Sequence, residues 1–213
     1  RGEDTAAEEA ELGAIQASTR DPVLVEAAAA LLDNNIPIAE RVLRARLKEK
    51  PTDVAAIRMM AEIAGRLGRY GDAEKLLRRA LELAPAFVAA RANLATVLYR
   101  QNNPTDAVAE LDRLLVDDPD NAAHRNLKAA ALGRIGGYEE AIALYESVLA
   151  AHPAQPRGWM SYGHVLKTVG RQADSIAAYR KAIERAPGLG EVWWSLANLK
   201  TVHFTDADIA AMQ

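Results

Sequence analysis

The sequence predicts an all-α fold, an α-solenoid in which two-helix repeats stack on one another. The main observation is a proline that recurs at one constant interval, at Pro51, Pro85, Pro119, Pro153 and Pro187. The second is composition, since Ala and Leu dominate a chain of 213 residues with only 5% aromatic residues. Ala and Leu favour helices, and a period of about 34 residues is that of a helix–turn–helix unit closed by a proline.

The period, and the residues in register with it, resemble the tetratricopeptide repeat. If each unit is numbered so that its proline is position 32, the repeats are 20–53, 54–87, 88–121, 122–155 and 156–189. Position 20 is then always small, which lets two helices cross closely: Ala39, Ala73, Ala107, Ala141 and Ser175. The resemblance implies a right-handed superhelical α-solenoid whose first helices line the concave side.

Each repeat is expected to contain a helix A and a helix B, joined by a turn in which glycine supplies a positive φ angle. The turn glycines are Gly68, Gly136 and Gly170, whereas Lys128 is a misfit at a normally apolar position and is expected to extend its stem past the packed layer. We expect helices A at about 21–33, 54–67, 88–101, 122–135, 156–169 and 190–202, and helices B at about 37–49, 71–83, 105–116, 139–150 and 173–185.

The two ends of the chain are expected to differ from the repeats. Residues 1–19 are predicted to be a helical or capping segment, and residues 190–213 a partial sixth repeat. Trp193 occupies the position of Trp159 and is expected to be a core wedge. Its neighbour Trp194 either faces the groove for contact or packs against a further segment. Thr205 is a good N-cap for a helix too short to stand alone, so we expect the natural chain to continue.

The segment Ser195–Met212 also resembles the sequence that joins the repeat array to the catalytic domain in bacterial tetratricopeptide-repeat sulfotransferases. That resemblance implies a following domain that uses the sulfuryl donor 3′-phosphoadenosine 5′-phosphosulfate (PAPS). No part of such a domain, and no nucleophile–base pair, is recognisable in this chain. We therefore expect the chain itself to be no enzyme and to need no cofactor.

Several other classes of function are disfavoured by composition. A net charge of −3 gives no general electrostatic attraction for nucleic acid. The chain has no cysteine and its four histidines show no metal-ligand spacing, so no metal site is expected. No apolar run approaches the roughly 20 residues that span a membrane. The absence of cysteine fits a cytoplasmic location.

The predicted function is a scaffold that binds a peptide or protein segment, of anionic character, in the concave groove. The groove positions carry six cations and two anions, Glu62 and Glu191, which favours an acidic partner. The predicted groove residues are Arg58, Arg66, Asn93, Tyr99, Arg100, Asn126, Arg134, Arg157, His164, Lys167, Trp194 and Asn198.

Three alternatives stay open. Arg66, Arg100 and Arg134 recur at the same position of successive repeats, near helix C-termini, where a cation complements the helix dipole without any ligand. The chain is alternatively the non-catalytic, substrate-recruiting part of a PAPS-dependent sulfotransferase. A third hypothesis is self-association through an exposed end at Trp193–Met212.

Overall fold

The computed structural model describes residues 20–212, and within that range it contains twelve helices and no strand. The all-α prediction is confirmed. The A helices are α1 (Pro22–Leu32), α3 (Val54–Arg66), α5 (Val88–Arg100), α7 (Ala122–Ile135), α9 (Pro156–Thr168) and α11 (Gly190–Ala197). The B helices are α2 (Ile36–Glu49), α4 (Tyr70–Leu83), α6 (Pro104–Asp117), α8 (Tyr138–Ala151), α10 (Gln172–Arg185) and α12 (Asp206–Ala211).

The chain forms two compact units, unit 1 up to Leu114 and unit 2 from Leu115. In unit 1, α1 to α5 pack in sequence, each on the next, and the A helices α1, α3 and α5 also contact one another in that order. In unit 2, α7 to α11 pack in sequence, and α7 also contacts α9. Neighbouring A helices therefore lie side by side, α1, α3 and α5 in unit 1 and α7 and α9 in unit 2, and the surface that they form is called the A-helix face.

The close crossing of helices A and B is made possible by small side chains. The residues at position 20 of every repeat are completely buried: Ala39, Ala73, Ala107, Ala141 and Ser175. One turn later, large side chains fill the same core and are at most 2% exposed: Leu43, Leu77, Leu111, Tyr145 and Tyr179. The predicted small residues at the helix crossing are confirmed, and large side chains fill the space beside them.

The turns between helices A and B share one backbone feature. At the same position of five successive repeats the φ angle is positive, namely at Asn34 (54°), Gly68 (72°), Asn102 (62°), Gly136 (86°) and Gly170 (80°). The three glycines were predicted from the turn pattern. The two asparagines complete the series because Asn tolerates the left-handed region better than other residues with a side chain.

Lys128, a charged residue at a normally apolar position, extends its side chain past the packed layer as expected. Its side chain is only 15% exposed, so the aliphatic stem lies in the packed layer, while Nζ reaches a carboxylate oxygen of Glu140 at 2.6 Å. The apolar stem and the charged end thus occupy different environments.

The sixth helix A is shorter than predicted, ending at Ala197 rather than near residue 202. Lys200 has a φ of 59°, and Gln172 Nε2 donates to Thr201 Oγ1 at 2.6 Å, so the chain leaves the helix and runs beside α10. Helix α12 begins at Asp206. Asp206 is equivalent in the repeat to Gln172, the first residue of α10. Ile209 takes the position that is small in every earlier repeat, and it stays 49% exposed.

This C-terminal segment, residues 199–211, is held by side chains on unit 2. Leu199, Val202 and Phe204 pack against the buried cluster that contains Trp193. Thr205 caps α12 as predicted, in a capping box with Asp208, and Arg180 donates two hydrogen bonds to the Asp208 carboxylate. The predicted helical or capping segment at residues 1–19 lies outside the described residues.

Candidate functional site

A first cleft lies on the shared A-helix face of unit 1, with a volume of about 480 Å³. It brings together three of the predicted groove residues, Arg66, Asn93 and Arg100. The full lining is Ala61, Glu62, Gly65, Arg66, Tyr70, Leu77, Asn93, Thr96, Val97 and Arg100.

The charges on one side of the first cleft are already paired. Glu62 accepts a hydrogen bond from Arg66 Nη2 at 2.6 Å and lies 3.5 Å from Arg58 Nη1. Arg66 Nη1 also donates to the main-chain oxygen of Leu31 at 2.6 Å, near the C-terminus of α1. Arg66 is therefore paired within the fold, by one contact on its own helix and one to a carbonyl near the C-terminus of the neighbouring helix α1.

The other side of the first cleft is open. Arg100 is exposed and makes no ion pair or hydrogen bond with residues 20–212, and Asn93 is partly exposed beside it. A β-carbon on Gly65 would meet no atom within 4 Å, so the α3 wall stands back from the cleft at this point. The result is a recess with a free guanidinium and a carboxamide, groups that hydrogen-bond carboxylates and peptide amides.

A second cleft lies in unit 2, with a volume of about 710 Å³, and contains the predicted residues Asn126 and Arg157. Its lining is mostly small and apolar. The residues are Ala123, Asn126, Leu127, Ala130, Tyr145, Ala154, Gln155, Pro156, Arg157, Gly158, Ser161, Ala186 and Leu189.

An amide pair lies in the wall of the second cleft. Asn126 Nδ2 donates to Gln155 Oε1 at 2.9 Å, while Asn126 Oδ1 is buried and has no hydrogen-bond partner. Arg157 is exposed and forms no ion pair within the described part of the chain. Gln155 was not among the predicted residues, because it lies in the loop before α9, where the repeat pattern carries no signal.

The remaining predicted residues do not line either cleft. Arg58 pairs with Glu62, and Lys167 lies exposed in the last turn of α9. The others in this group are Tyr99, Arg134, His164, Trp194 and Asn198.

His164 makes a hydrogen bond whose direction can be assigned. Its Nε2 lies 3.1 Å from Ser195 Oγ, and that hydroxyl donates its only hydrogen to the main-chain oxygen of Glu191 at 2.7 Å. His164 Nε2 must therefore be the donor. Burial, and next the positive charge of Lys167, lower the pKa of His164, with Glu191 opposing them.

The paired tryptophans have the separate environments that the repeat register predicted. Trp193 is 6% exposed and its Nε1 donates to the Pro187 carbonyl oxygen at 2.7 Å. Trp159, at the same position of the preceding repeat, makes the equivalent bond to Pro153 at 2.9 Å. Trp194 is 69% exposed. Phe204 packs against the ring of Trp193, with ring centroids 6.2 Å apart.

Residues 20–212 offer neither a metal-binding cluster nor a membrane-spanning helix. In that range no three His, Cys, Asp or Glu side chains are grouped closely enough to hold a metal ion. The same range contains no helix with the length and apolar character needed to cross a membrane.

Three solved structures with a similar fold are YrrB, MamA and TTC0263, of which YrrB and TTC0263 are described as TPR proteins. YrrB, a TPR protein with an unusual peptide-binding site, superposes with a TM-score of 0.68 at 18% identity, over 88% of this chain and 98% of YrrB. MamA from Desulfovibrio magneticus RS-1 gives 0.69 at 18% identity, over 75% and 90%. TTC0263 from Thermus thermophilus gives 0.65 at 20% identity, over 84% and 98%. At these identities the likeness shows the fold alone.

Sequence comparison identifies the family more directly. No curated protein matches the sequence significantly. Two family models do match, both describing the tetratricopeptide repeat, one over residues 66–131 and the other over residues 126–189. Together they span more than half of the chain and agree with the recurring prolines, crossing residues and turns. The chain belongs to the tetratricopeptide-repeat family.

Proposed function

We propose that this protein binds an extended, acidic peptide or protein segment on the A-helix face, with the first cleft as a main contact. The observation that carries the proposal is the position of Arg100 and Asn93 at an open recess of about 480 Å³. Arg100 offers an unpaired guanidinium within the described residues, which suits a carboxylate. Asn93 offers both a donor and an acceptor, which suits a peptide backbone.

The pairing of Arg58 and Arg66 narrows the predicted basic surface. Arg58 and Arg66 both contact Glu62. Of the three arginines predicted to line the groove in unit 1, Arg100 is therefore the one whose guanidinium keeps all its hydrogen-bond donors available within the described part of the chain. The relevant feature is therefore one free guanidinium beside a carboxamide, rather than a broadly basic groove. The peptide-binding site of YrrB supports this class of ligand for a repeat array of the same fold.

The sulfotransferase-associated alternative stays a prediction. The family models match the repeats, and no contact of the described residues favours sulfuryl transfer over peptide binding. The acidic character of the partner likewise stays a prediction from the sequence. The same holds for self-association through the C-terminal end.

The proposal can be tested with a defined probe, the fluorescein-labelled peptide acetyl-Glu-Asp-Ala-Asp-Glu-amide. Fluorescence anisotropy should show saturable binding that weakens as NaCl is raised, because salt screens exposed charges. Arg100→Gln should weaken binding roughly tenfold, the usual effect of losing a hydrogen bond to a charged group. Gly65→Leu should also weaken it, since Gly65 lines the recess and a β-carbon there meets no atom within 4 Å.

Arg44→Gln is a matched control for charge, because it removes one exposed arginine from helix α2, away from the A-helix face. Arg44 pairs only with Glu40 on its own helix among the described residues. Binding that fell equally in Arg44→Gln and Arg100→Gln would indicate general electrostatics. Absence of binding, or equal binding of acetyl-Lys-Lys-Ala-Lys-Lys-amide, would contradict the proposal.

A further inference from the structure

The second cleft differs chemically from the first. Its walls are small apolar residues, Ala123 and Ala130 on α7 and Gly158 on α9, with Leu127 and Leu189 at larger positions. Small residues leave an apolar volume of about 710 Å³, within the range of sites that bind organic groups. No large side chain of unit 2 fills it, so a group from outside would bury apolar surface here.

The second cleft contains few polar groups, among them Asn126, Gln155, Arg157 and Ser161. Arg157 is exposed and unpaired within residues 20–212, which provides one positive charge. Asn126 Oδ1 is buried without a partner, and an unsatisfied buried acceptor is costly in free energy. Asn126 Oδ1 lacks a hydrogen-bond donor. The main-chain N–H of a bound peptide can donate to it once the Asn126 carboxamide rotates away from Gln155 towards the cleft.

We infer that the second cleft selects a short peptide stretch with a large apolar side chain next to a carboxylate. The apolar side chain occupies the recess between Ala130 and Leu189, the carboxylate pairs with Arg157, and the peptide backbone contacts the amide of Asn126. The charge of Arg157 favours this occupant over a basic peptide, and the apolar lining favours leucine over alanine. This inference rests on the proposed function, since it assigns a residue preference to peptide binding.

The experiment is an NMR titration of the ¹⁵N-labelled full chain with two peptides. One is the alanine peptide used above, and the other is acetyl-Glu-Asp-Leu-Asp-Glu-amide. The leucine peptide should shift the side-chain amide signals of Asn126 and the main-chain signals of Ala130, with an affinity at least about tenfold higher than that of the alanine peptide. Arg157→Gln should reduce its affinity while leaving shifts at Asn93 in place.

Two variants make the test specific. Ala130→Leu fills the cleft and should abolish the preference for leucine. Ala177→Leu adds the same group on the exposed side of α10, outside the cleft lining, and should leave the preference unchanged. Circular dichroism spectra should establish that both variants remain helical.

The outcomes separate this inference from the proposed function. If both peptides bind with equal affinity and shift signals around Arg100 but not around Asn126, the apolar preference is wrong and the acidic-peptide proposal survives. If neither peptide shifts signals on the A-helix face, both are wrong. If Ala130→Leu keeps the leucine preference, the second cleft is not its origin and the inference is overturned.

Discussion

Tyr179 lies so close to Gly163 that the core has no room for a side chain on this glycine. A β-carbon on Gly163 would lie 2.6 Å from Cε1 of Tyr179, whose ring is completely buried. Ser175 Oγ also donates to the Gly163 main-chain oxygen at 2.9 Å, which holds the two helices together at this point. The same two positions hold alanine and leucine in the first three repeats: Ala27 with Leu43, Ala61 with Leu77, and Ala95 with Leu111.

Gly163→Ala should therefore lower the free energy of unfolding by about 1–3 kcal/mol, the usual effect of overpacking a core. This loss would occur although alanine is about 1 kcal/mol better than glycine within a helix. In the double variant Gly163→Ala with Tyr179→Leu, which restores the pair of the earlier repeats, much of the stability should return. Urea denaturation followed by circular dichroism measures the free energy of unfolding of Gly163→Ala, Tyr179→Leu and the double variant. Strictly additive effects would show that the close contact is not the cause.

Glu110 is a buried charge that joins two helices of unit 1. It is 8% exposed and accepts hydrogen bonds from Arg91 Nη1 at 2.8 Å and Arg113 Nη1 at 2.7 Å. Glu110→Ala would leave Arg91 without its carboxylate in a site where that side chain is only 20% exposed. We expect a loss of about 3 kcal/mol in thermal or urea unfolding.

The control for Glu110 is Glu82→Ala. Glu82 pairs with Arg79 at 2.9 Å, but both side chains are more than half exposed. Its removal should cost less than about 1 kcal/mol, as for other surface ion pairs. Equal losses in the two variants would argue against burial as the reason for the importance of Glu110.

Two turn residues with a positive φ angle, Asn102 and Gly136, should respond in opposite ways when each is replaced. The quantity affected is the stability of the fold. Asn102 has a φ of 62° and Gly136 a φ of 86°, in equivalent turns. Gly136→Ala should destabilise by about 1–2 kcal/mol, because a β-carbon is unfavourable in the left-handed region. Asn102→Gly should be neutral or slightly stabilising, since it removes the same strain. A destabilising effect of Asn102→Gly in urea unfolding would mean that the asparagine side chain contributes more than its conformation.

The C-terminal segment should detach in acid. Hydrogen bonds from Arg180, and next from the Thr205 main chain, lower the pKa of Asp208 to about 2. A lowered pKa stabilises the attached state above the ordinary aspartate value of 3.8, and this stabilisation is lost as pH falls through about 2. NMR signals of Asp206–Ala211 should move towards coil values between about pH 4 and pH 2, because six helical residues do not persist alone.

Asp208→Asn should make these signals coil-like already at neutral pH. Asp206→Asn is the control, since Asp206 is in the first turn of the same helix but does not contact Arg180. If Asp208→Asn left the helix signals unchanged, packing of Phe204 on Trp193 would be sufficient to hold the segment.

Much of the fold could be predicted because it depends on local patterns. The helix limits between residues 20 and 189 differ only slightly from the predicted ones. Proline spacing, small crossing residues and turn glycines recur along the chain, so each repeat reinforces the interpretation of the next. Helix α11 was predicted too long because the turn at Lys200 depends on contacts of Leu199, Val202 and Phe204 with the cluster around Trp193, which have no counterpart in earlier repeats.

The candidate site was predicted less completely for a physical reason. Arg66 and Arg100 occupy the same position of successive repeats, and sequence alone treats them alike. Glu62 precedes Arg66 by one helical turn, so the ion pair between these two residues could have been recognised from helix spacing. The bond from Arg66 to the Leu31 carbonyl could not, because that contact joins residues far apart in the chain.

The sequence by itself determined the number, order and phase of the helices, since these follow from periodic burial and from turn residues acting over a few positions. Only the tertiary structure decided which cations remain available, which walls enclose apolar volume, and how residues 199–211 cover Trp193. Those properties depend on the distances between side chains of different helices, and a small difference in such a distance separates a paired guanidinium from a free one.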